Sequence, residues 1–376
     1  MMKQTLKLLA DTTDSPYSRL KQWKKGTGRK VIGCFPMYVP EEIIHAAGLL
    51  PVVLLGQEQP ITLADNYLQP YICTPVRSNL DLSLKGGLDC LDGLVFPDIC
   101  EPAQMVSEVW NLHQPTPFFH NLMVPVNTSA NYSLSHLTQE FSRLKAALEK
   151  FIGRAITQKN LKDSIAIYNE HRRLLHRLYQ LRREHPEHFK ARDIAIVVSS
   201  SMFMPKEEHN WLLGQLLEEV TAKASSSTER AKLVISGCFC DMPEVDILDL
   251  VEELGALVVD DDLYVGRRYF QTLVNEQEDP LEALARRYID DVPCPTKYHP
   301  GKEWGEYLQR LCREAKADGL LIILIKYCEP HALDYPRLKE RLSQDNLPHL
   351  LIETDHSGAT GQIRTRLQAF IEMLQG

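Results

Sequence analysis

The chain has 376 residues, 44% of them hydrophobic, which is enough for more than one core. A formal net charge of −8 excludes a general binder of nucleic-acid backbones, which needs a basic face, so no nucleic-acid partner is expected. The longest apolar runs, such as LLPVVLL at 49–55, fall short of the about 20 residues that span a bilayer, and MMKQTLKLLADTTDSPYSR has no secretory core; a cytoplasmic protein with no membrane partner is expected.

In chain order, strands are expected near 30–34, 51–55, 93–96 and 117–121, with helical patterns between them. Cys73 lies in a loop ahead of a helix that runs to about Lys85. Residues 134–223 are helical by their i, i+3, i+4 apolar spacing, and ASSST at 224–228 reads as a linker. The arginines of RRLLHRLYQLRRE (172–184) interleave with an apolar stripe, and a solvated helix face explains them better than an anion site. Further strands are expected near 232–236, 256–260, 319–325 and 349–353, and helices near 244–253, 303–317, 331–345 and 361–374. Alternation of this kind argues for parallel sheets built from βαβ units.

An internal repeat organises these elements. KVIGCFPMYVPEEIIHAAGLLPVVLL (30–55) is matched by KLVISGCFCDMPEVDILDLVEELGALVV (232–259): strand, Gly-Cys-Phe, Met and Pro, an acidic helix start, and a Gly before the next strand. LDGLVFPDICEP (91–102) is likewise matched by ADGLLIILIKYCEP (317–330). The expected fold is therefore α/β, two related domains with parallel sheets at 1–133 and 229–376, and a helical segment at 134–228 between them; the first domain opens on an N-terminal helical segment.

Nine cysteines without disulfide-scaffold density suit a reducing compartment. Ligands of open parallel sheets bind outside the carboxyl ends of the strands, and Cys34, Cys100, Cys238, Cys240 and Cys328 all fall at or just past such ends. Cys312 reads as helix core, Cys90 as packed beside a strand, and Cys294 as held in a proline-rich loop with no obvious partner. Cys100 and Cys328 stand before Glu-Pro and Cys73 before Thr-Pro, a context in which thiolates from three loops can hold an iron-sulfur cluster. Unrelated buried thiols explain the same spacing. Zinc is the weaker reading, since there is no CxxC pair and Cys238-Phe-Cys240 is too tight. A Cys328–His331 nucleophile lacks an oxyanion element, and His331 is expected to be an outer partner at most.

Other candidates have bland counterparts. Asp260, Asp261 and Asp262 either bind a cation or polar group, or form a turn exposed to water. SGATGQIR (357–364) either takes an anion on its backbone N–H groups or is capped by Ser357 or Thr360, the favoured reading. Tyr38, Glu41, Glu42 and His45 suit proton transfer, although Glu41 and Glu42 after Pro40 also suit the first turn of a helix.

These motifs together resemble the 2-hydroxyacyl-CoA dehydratase and benzoyl-CoA reductase family, most of all the smaller cluster-binding (gamma-type) subunit of the reductase. The resemblance covers almost the whole chain and is carried by CFPMYVPEEIIHAAGLLPV (34–52), CTPVRSNLDLSLKGGLDCLDGLVFPDICEP (73–102), VVDDDLYVGRRYF (258–270), IKYCEPHALDYPRLKERL (325–342) and HLLIETDHSGATGQIRTRLQAF (349–370). It implies two Rossmann-like domains and one 4Fe-4S cluster per chain on Cys73, Cys100 and Cys328, with an open fourth coordination position. The roles of Cys34, Cys238 and Cys240 stay unassigned, and Cys238 stands where the family is expected to carry a small polar residue. Implied partners are a homologous cluster-binding subunit forming a heterodimer, an ATP-hydrolysing iron-sulfur activator, a ferredoxin-type donor upstream, and an aromatic acyl-CoA substrate. No GxxxxGK[ST] loop occurs in the chain, so ATP belongs to the activator. GCFCDMPE (237–244) favours the reductase, which reduces benzoyl-CoA to a cyclic diene thioester; the alternatives are a dehydratase that works through a ketyl radical, a non-catalytic or homodimeric electron relay, and a metal-free small-molecule binder. Neither the catalytic residues nor the path of the CoA tail follows from the motifs.

Overall fold

The computed structural model describes residues 2–56, 60–221, 230–238, 245–355 and 360–376. Two four-stranded, all-parallel sheets organise the chain. The first contains β1 (Val31–Cys34), β2 (Leu50–Val53), β3 (Gly93–Pro97) and β4 (Phe118–Leu122), in the order β2-β1-β3-β4. The second contains β5 (Ala231–Gly237), β6 (Ala256–Asp262), β7 (Gly319–Ile325) and β8 (His349–Thr354), in the order β6-β5-β7-β8. The strand order is the same in both, as the repeat requires, and the fold is α/β with two Rossmann-like sheets. The strands carry near-continuous apolar runs because both faces are covered: every residue of β1, β3 and β7 is buried.

In each sheet the chain leaves the first strand toward one edge and returns to the other side, so the direction of winding reverses between β1 and β3, and between β5 and β7. At such a reversal the loops part and leave a crevice at the carboxyl edge. The connections after β1, β3, β5 and β7 are therefore where a site is expected; Cys34 ends β1, and Cys100, Cys238 and Cys328 follow β3, β5 and β7.

The middle of the chain is helical, with helices Ser133–Ile152, Gln158–Glu184, Ala191–Ser200 and Lys206–Thr221. The longest begins with a capping box in which Thr157 and Asn160 exchange hydrogen bonds. These helices bury Leu137, Phe141, Leu175 and Leu213 in a core continuous with the first sheet, and Phe270, Leu284 and Tyr288 join the same core from the segment after β6. A separate core surrounds the second sheet. The linker ASSST falls outside the described residues, as do Cys240 and Ser357. Among the described residues no helix is long and apolar enough to cross a membrane.

Two expectations are corrected. Asp260, Asp261 and Asp262 form neither an exposed turn nor an open cation site: β6 extends through Asp262, and all three are buried. Each meets arginine. Arg267 grips Asp260 through Nε (2.8 Å) and a terminal nitrogen (2.6 Å), Arg182 and the Tyr179 hydroxyl reach Asp261 at 2.8 and 2.7 Å, and Arg268 holds Asp262 through two bonds of 2.8 and 2.7 Å. For the same reason the basic run of Gln158–Glu184 is a solvated face only in part: Arg173 and Arg177 are exposed, and the other three arginines turn inward. Arg172 pairs with Glu42, Arg182 with Asp261 and Arg183 with Asp260, and the first two arginines are buried. Buried charges persist only when paired, and periodicity cannot reveal a partner 79 or 130 residues away.

Candidate metal centre

Three helices begin on a cysteine. Thr74–Leu84 has Cys73 at its N-cap, Glu101–His113 has Cys100, and Glu329–Gln344 has Cys328, and each carries a proline in its first two positions. Proline fits there because the first N–H groups of a helix have no internal partner to lose. The third helix starts at Glu329 rather than 331, which makes Cys328 its N-cap. Before it, Tyr327 turns the chain away from β7 in the left-handed region, φ 66°. Each thiol is approached by a backbone N–H from its own helix's first turn, contributed by Val76, Ala103 and His331 respectively. Three positive helix ends thus face three sulfurs.

The three sulfurs share one cavity of about 50 Å³. Its walls come from the carboxyl edges of both sheets: Phe35 and Met37 after β1, Ile99 after β3, Cys238 after β5, and Ile325 with His331 from β7 and the helix that follows. Thr296 completes the lining. The thiols resist ionisation here. Burial first, then the negative charge of Cys328 and Cys100, raises Cys73; burial raises Cys100 to about 12; a hydrogen bond with Cys238, then burial, raises Cys328. Such thiols ionise only beside a cation, and a coordinated metal deprotonates a thiol outright.

Cys328 has the richest surroundings. Its sulfur lies 3.3 Å from His331 Nδ1 and within reach of the Cys238 thiol, whose own sulfur accepts the Ile325 N–H at 2.9 Å. Burial, then Arg268, holds the His331 imidazole well below its usual pKa, so it is neutral. Arg268 also donates to Cys294 Sγ at 3.2 Å, and Cys294 touches the Thr296 hydroxyl at 3.2 Å. Cys294 therefore has partners after all: it links the Asp262–Arg268 pair to the cavity wall.

The remaining candidates lie elsewhere. Cys34 is buried, with its sulfur toward the Ile32 carbonyl, and does not line the cavity. Cys312 and Cys90 are buried in the cores, as expected. Glu41 and Glu42 open the helix Glu41–Ala46 after Pro40. Glu41 accepts from Tyr269 at 2.8 Å and pairs with Lys206 at 3.3 Å, and His45 bonds Ser164 at 2.9 Å and Glu207 at 3.2 Å. With Tyr38 and Arg172, Glu41 and Glu42 line a different, polar cavity of about 30 Å³. Thr360 caps the last helix by accepting the Ile363 N–H. The motifs by themselves give Cys238 no role and His331 only an outer one. The repeat holds the signal for Cys238, since it places Gly-Cys at the end of β5 as at β1.

Fold and site together define a two-sheet parallel α/β protein with a thiol-lined cavity where both crevices meet. The family model described as 2-hydroxyglutaryl-CoA dehydratase, D-component, matches residues 36–374, and the chain belongs to this family. It is similar to a benzoyl-CoA reductase subunit of Thauera aromatica, with 30% identity over 96% of this chain and 95% of the relative. It is similar also to the (R)-phenyllactyl-CoA dehydratase beta subunit of Clostridium sporogenes, at 31% over 97% of each, and to the (R)-2-hydroxyglutaryl-CoA dehydratase beta subunit of Acidaminococcus fermentans, at 29% over 96% of each.

Proposed function

We propose that the chain is the iron-sulfur subunit of a low-potential acyl-CoA enzyme, holding one 4Fe-4S cluster on Cys73, Cys100 and Cys328. The observation that carries this reading is the convergence of three cysteine-capped helix N-termini on one cavity. The donor set fits the group: thiolates are the usual ligands of such clusters, and backbone N–H groups at the sulfurs set their potential. The spacing also suits several irons better than one. Four-coordinate metal at about 2.3 Å from each sulfur holds sulfurs about 3.8 Å apart. Among the described residues, these three sulfurs do not form a group within 4.8 Å. A cluster bound there supplies one-electron transfer.

The chain's own residues would do the rest. The three helix ends offset the anionic charge of thiolates, the side chains of Phe35, Met37, Ile99 and Ile325 keep water out, and neutral His331 directs Nδ1 at the Cys328 sulfur. With a thiolate at 328, which only accepts, the compatible tautomer carries its proton on Nδ1. Three cysteines leave one coordination position without a protein thiolate.

In the first form of this reading the chain serves an ATP-dependent benzoyl-CoA reductase, in a heterodimer with a homologous subunit and supplied with electrons by a separate ATP-hydrolysing activator, itself fed by a ferredoxin-type donor. The phenyllactyl-CoA dehydratase relative, at 31% identity, supports the second form, a 2-hydroxyacyl-CoA dehydratase subunit. Anaerobic purification with iron and sulfide analysis tests both. About four irons and four sulfides per chain are expected, falling below about two in Cys73→Ser, Cys100→Ser and Cys328→Ser; iron-free wild-type protein sinks the reading. Assay of the purified complex with benzoyl-CoA and with a 2-hydroxyacyl-CoA, given ATP and a strong reductant, separates the forms, since turnover of the hydroxy thioester alone excludes the reductase.

A further inference from the structure

The two halves of the repeat part at their first cysteine. β1 runs through Cys34, but β5 stops at Gly237, so Cys238 is the first residue beyond its strand. Gly237 lets the chain pass close to β7, where a Cβ would lie 1.8 Å from the Ile323 carbonyl oxygen, and the Cys238 N–H bonds that carbonyl at 3.2 Å. Pinned in this way, Cys238 is 3% exposed and lines the thiol cavity, which Cys34 does not.

The polar neighbours of the Cys238 sulfur are recorded. It accepts the Ile325 N–H at 2.9 Å, and it forms, with the Cys328 sulfur and a ring nitrogen of His331, a group of atoms all within 4.8 Å of one another. A thiol has one S–H to donate. Ile325 offers only a donor, and His331 Nδ1, 3.3 Å from the Cys328 sulfur, points its own proton at that sulfur. The acceptor left for Cys238 is therefore Cys328. The three ligand positions differ accordingly: among the described residues Cys73 and Cys100 meet backbone N–H groups alone, whereas Cys328 meets two side chains as well.

We propose that the Cys238 S–H donates to the Cys328 sulfur and, through that ligand, raises the reduction potential of the bound cluster. Reduction adds negative charge that spreads onto the ligand sulfurs, so a donor there holds the reduced state more tightly than the oxidised one. The side chains of Phe35, Met37, Ile99 and Ile325 keep water from weakening this bond. Cys238 is a positioning residue rather than a ligand, because its sulfur stands too near that of Cys328 to take a separate iron of the same cluster. The proposal rests on the cluster reading and adds to it the residue that tunes the group.

The test is a redox titration of the anaerobically purified full-length chain, followed by electron paramagnetic resonance of the reduced cluster, with iron and sulfide counted first. Cys238→Ala should keep about four irons and shift the one-electron equilibrium toward the oxidised state by about three- to tenfold, tenfold being about 59 mV. Cys238→Ser, which keeps a donor, should recover at least half of that shift. The infrared difference between reduced and oxidised wild type should contain an S–H stretching band that is missing in both variants, which decides the matter even if the alanine variant does not fold. Potentials equal within about twofold in all three proteins, a serine variant no closer to wild type than the alanine variant, or no S–H band in the difference overturns the proposal. Loss of one iron in Cys238→Ala also overturns it, since Cys238 would then be a fourth ligand. Iron-free wild type removes the cluster reading and this proposal together, whereas a full cluster with an unmoved potential removes this proposal alone.

Discussion

Asp262 ties the second sheet to the wall of the thiol cavity, and removal of its carboxylate should be among the most damaging single changes in the chain. The group is fully buried and accepts four hydrogen bonds: from Arg268 Nε at 2.8 Å, a terminal Arg268 nitrogen at 2.7 Å, Trp304 Nε1 at 2.9 Å and the Ser236 hydroxyl at 2.9 Å. Asp262→Ala leaves the Arg268 guanidinium, itself 2% exposed, without a counter-charge. Breaking a buried pair in this way costs about 3–5 kcal/mol, and the two stranded neutral donors add about 1 kcal/mol each. A loss of at least about 4 kcal/mol is therefore expected. Asp262→Leu combined with Arg268→Met removes both charges, and buried pairs replaced by apolar side chains are often neutral or better; the double variant should recover more than half of the loss. Urea unfolding followed by tryptophan fluorescence reads the change beside the site, since Trp304 packs edge-on against His331 with ring centroids 5.3 Å apart. A loss below about 1 kcal/mol for Asp262→Ala, or a double variant no better than the sum of the singles, refutes the account of this network.

Three further outcomes follow from the same structure. Gly237 has φ +152°, and a Cβ there would lie 1.8 Å from the Ile323 carbonyl oxygen; Gly237→Ala should cost on the order of 3 kcal/mol and displace Cys238, measured as lost thermal stability. Asp81 accepts the N–H groups of Thr62, Leu63 and Ala64 at 2.9, 2.6 and 3.0 Å; Asp81→Ala strands all three and should cost about 2–4 kcal/mol, whereas Asp81→Asn, which keeps an acceptor oxygen, should lose less than half of that, as read by hydrogen exchange at 62–64 and by urea midpoints. The buried pair His171 and His209, 3.2 Å apart, is held neutral: burial, then His209, pushes His171 well below its usual value, and burial, then Lys206, brings His209 to about 3. The folded pKa values are depressed, so below about pH 6.5 only the unfolded chain takes up these protons, and stability present above that pH falls as the solution is acidified. The slope is about 1.4 kcal/mol per pH unit for each histidine, roughly 3 for the pair, and unchanged urea midpoints from pH 7 to pH 5 would contradict it.

The sequence by itself determined the two-sheet architecture, because its signals are local or repeated. Apolar runs ending at Cys-Glu-Pro mark β3 and β7, proline at the second helical position marks where the next helix starts, and the duplicated Gly-Cys-Phe and Asp-Gly-Leu motifs impose one strand order twice. Cys100 and Cys328 could be singled out by their carboxyl-edge positions and Cys73 by the Thr-Pro that follows it, since both are matters of local pattern. Tertiary structure alone decided what these residues meet. That Cys238 touches Cys328 while Cys34 turns away depends on the pairing of β5 with β7 and on the path of Gly237 past Ile323. That Arg172 and Arg182 are buried, and Arg183 partly so, depends on Glu42, Asp261 and Asp260 arriving from distant parts of the chain. A helical wheel records which side chains share a face. Whether that face meets water or a carboxylate is settled by long-range packing, whose energy resides in pairs that no short window of sequence contains.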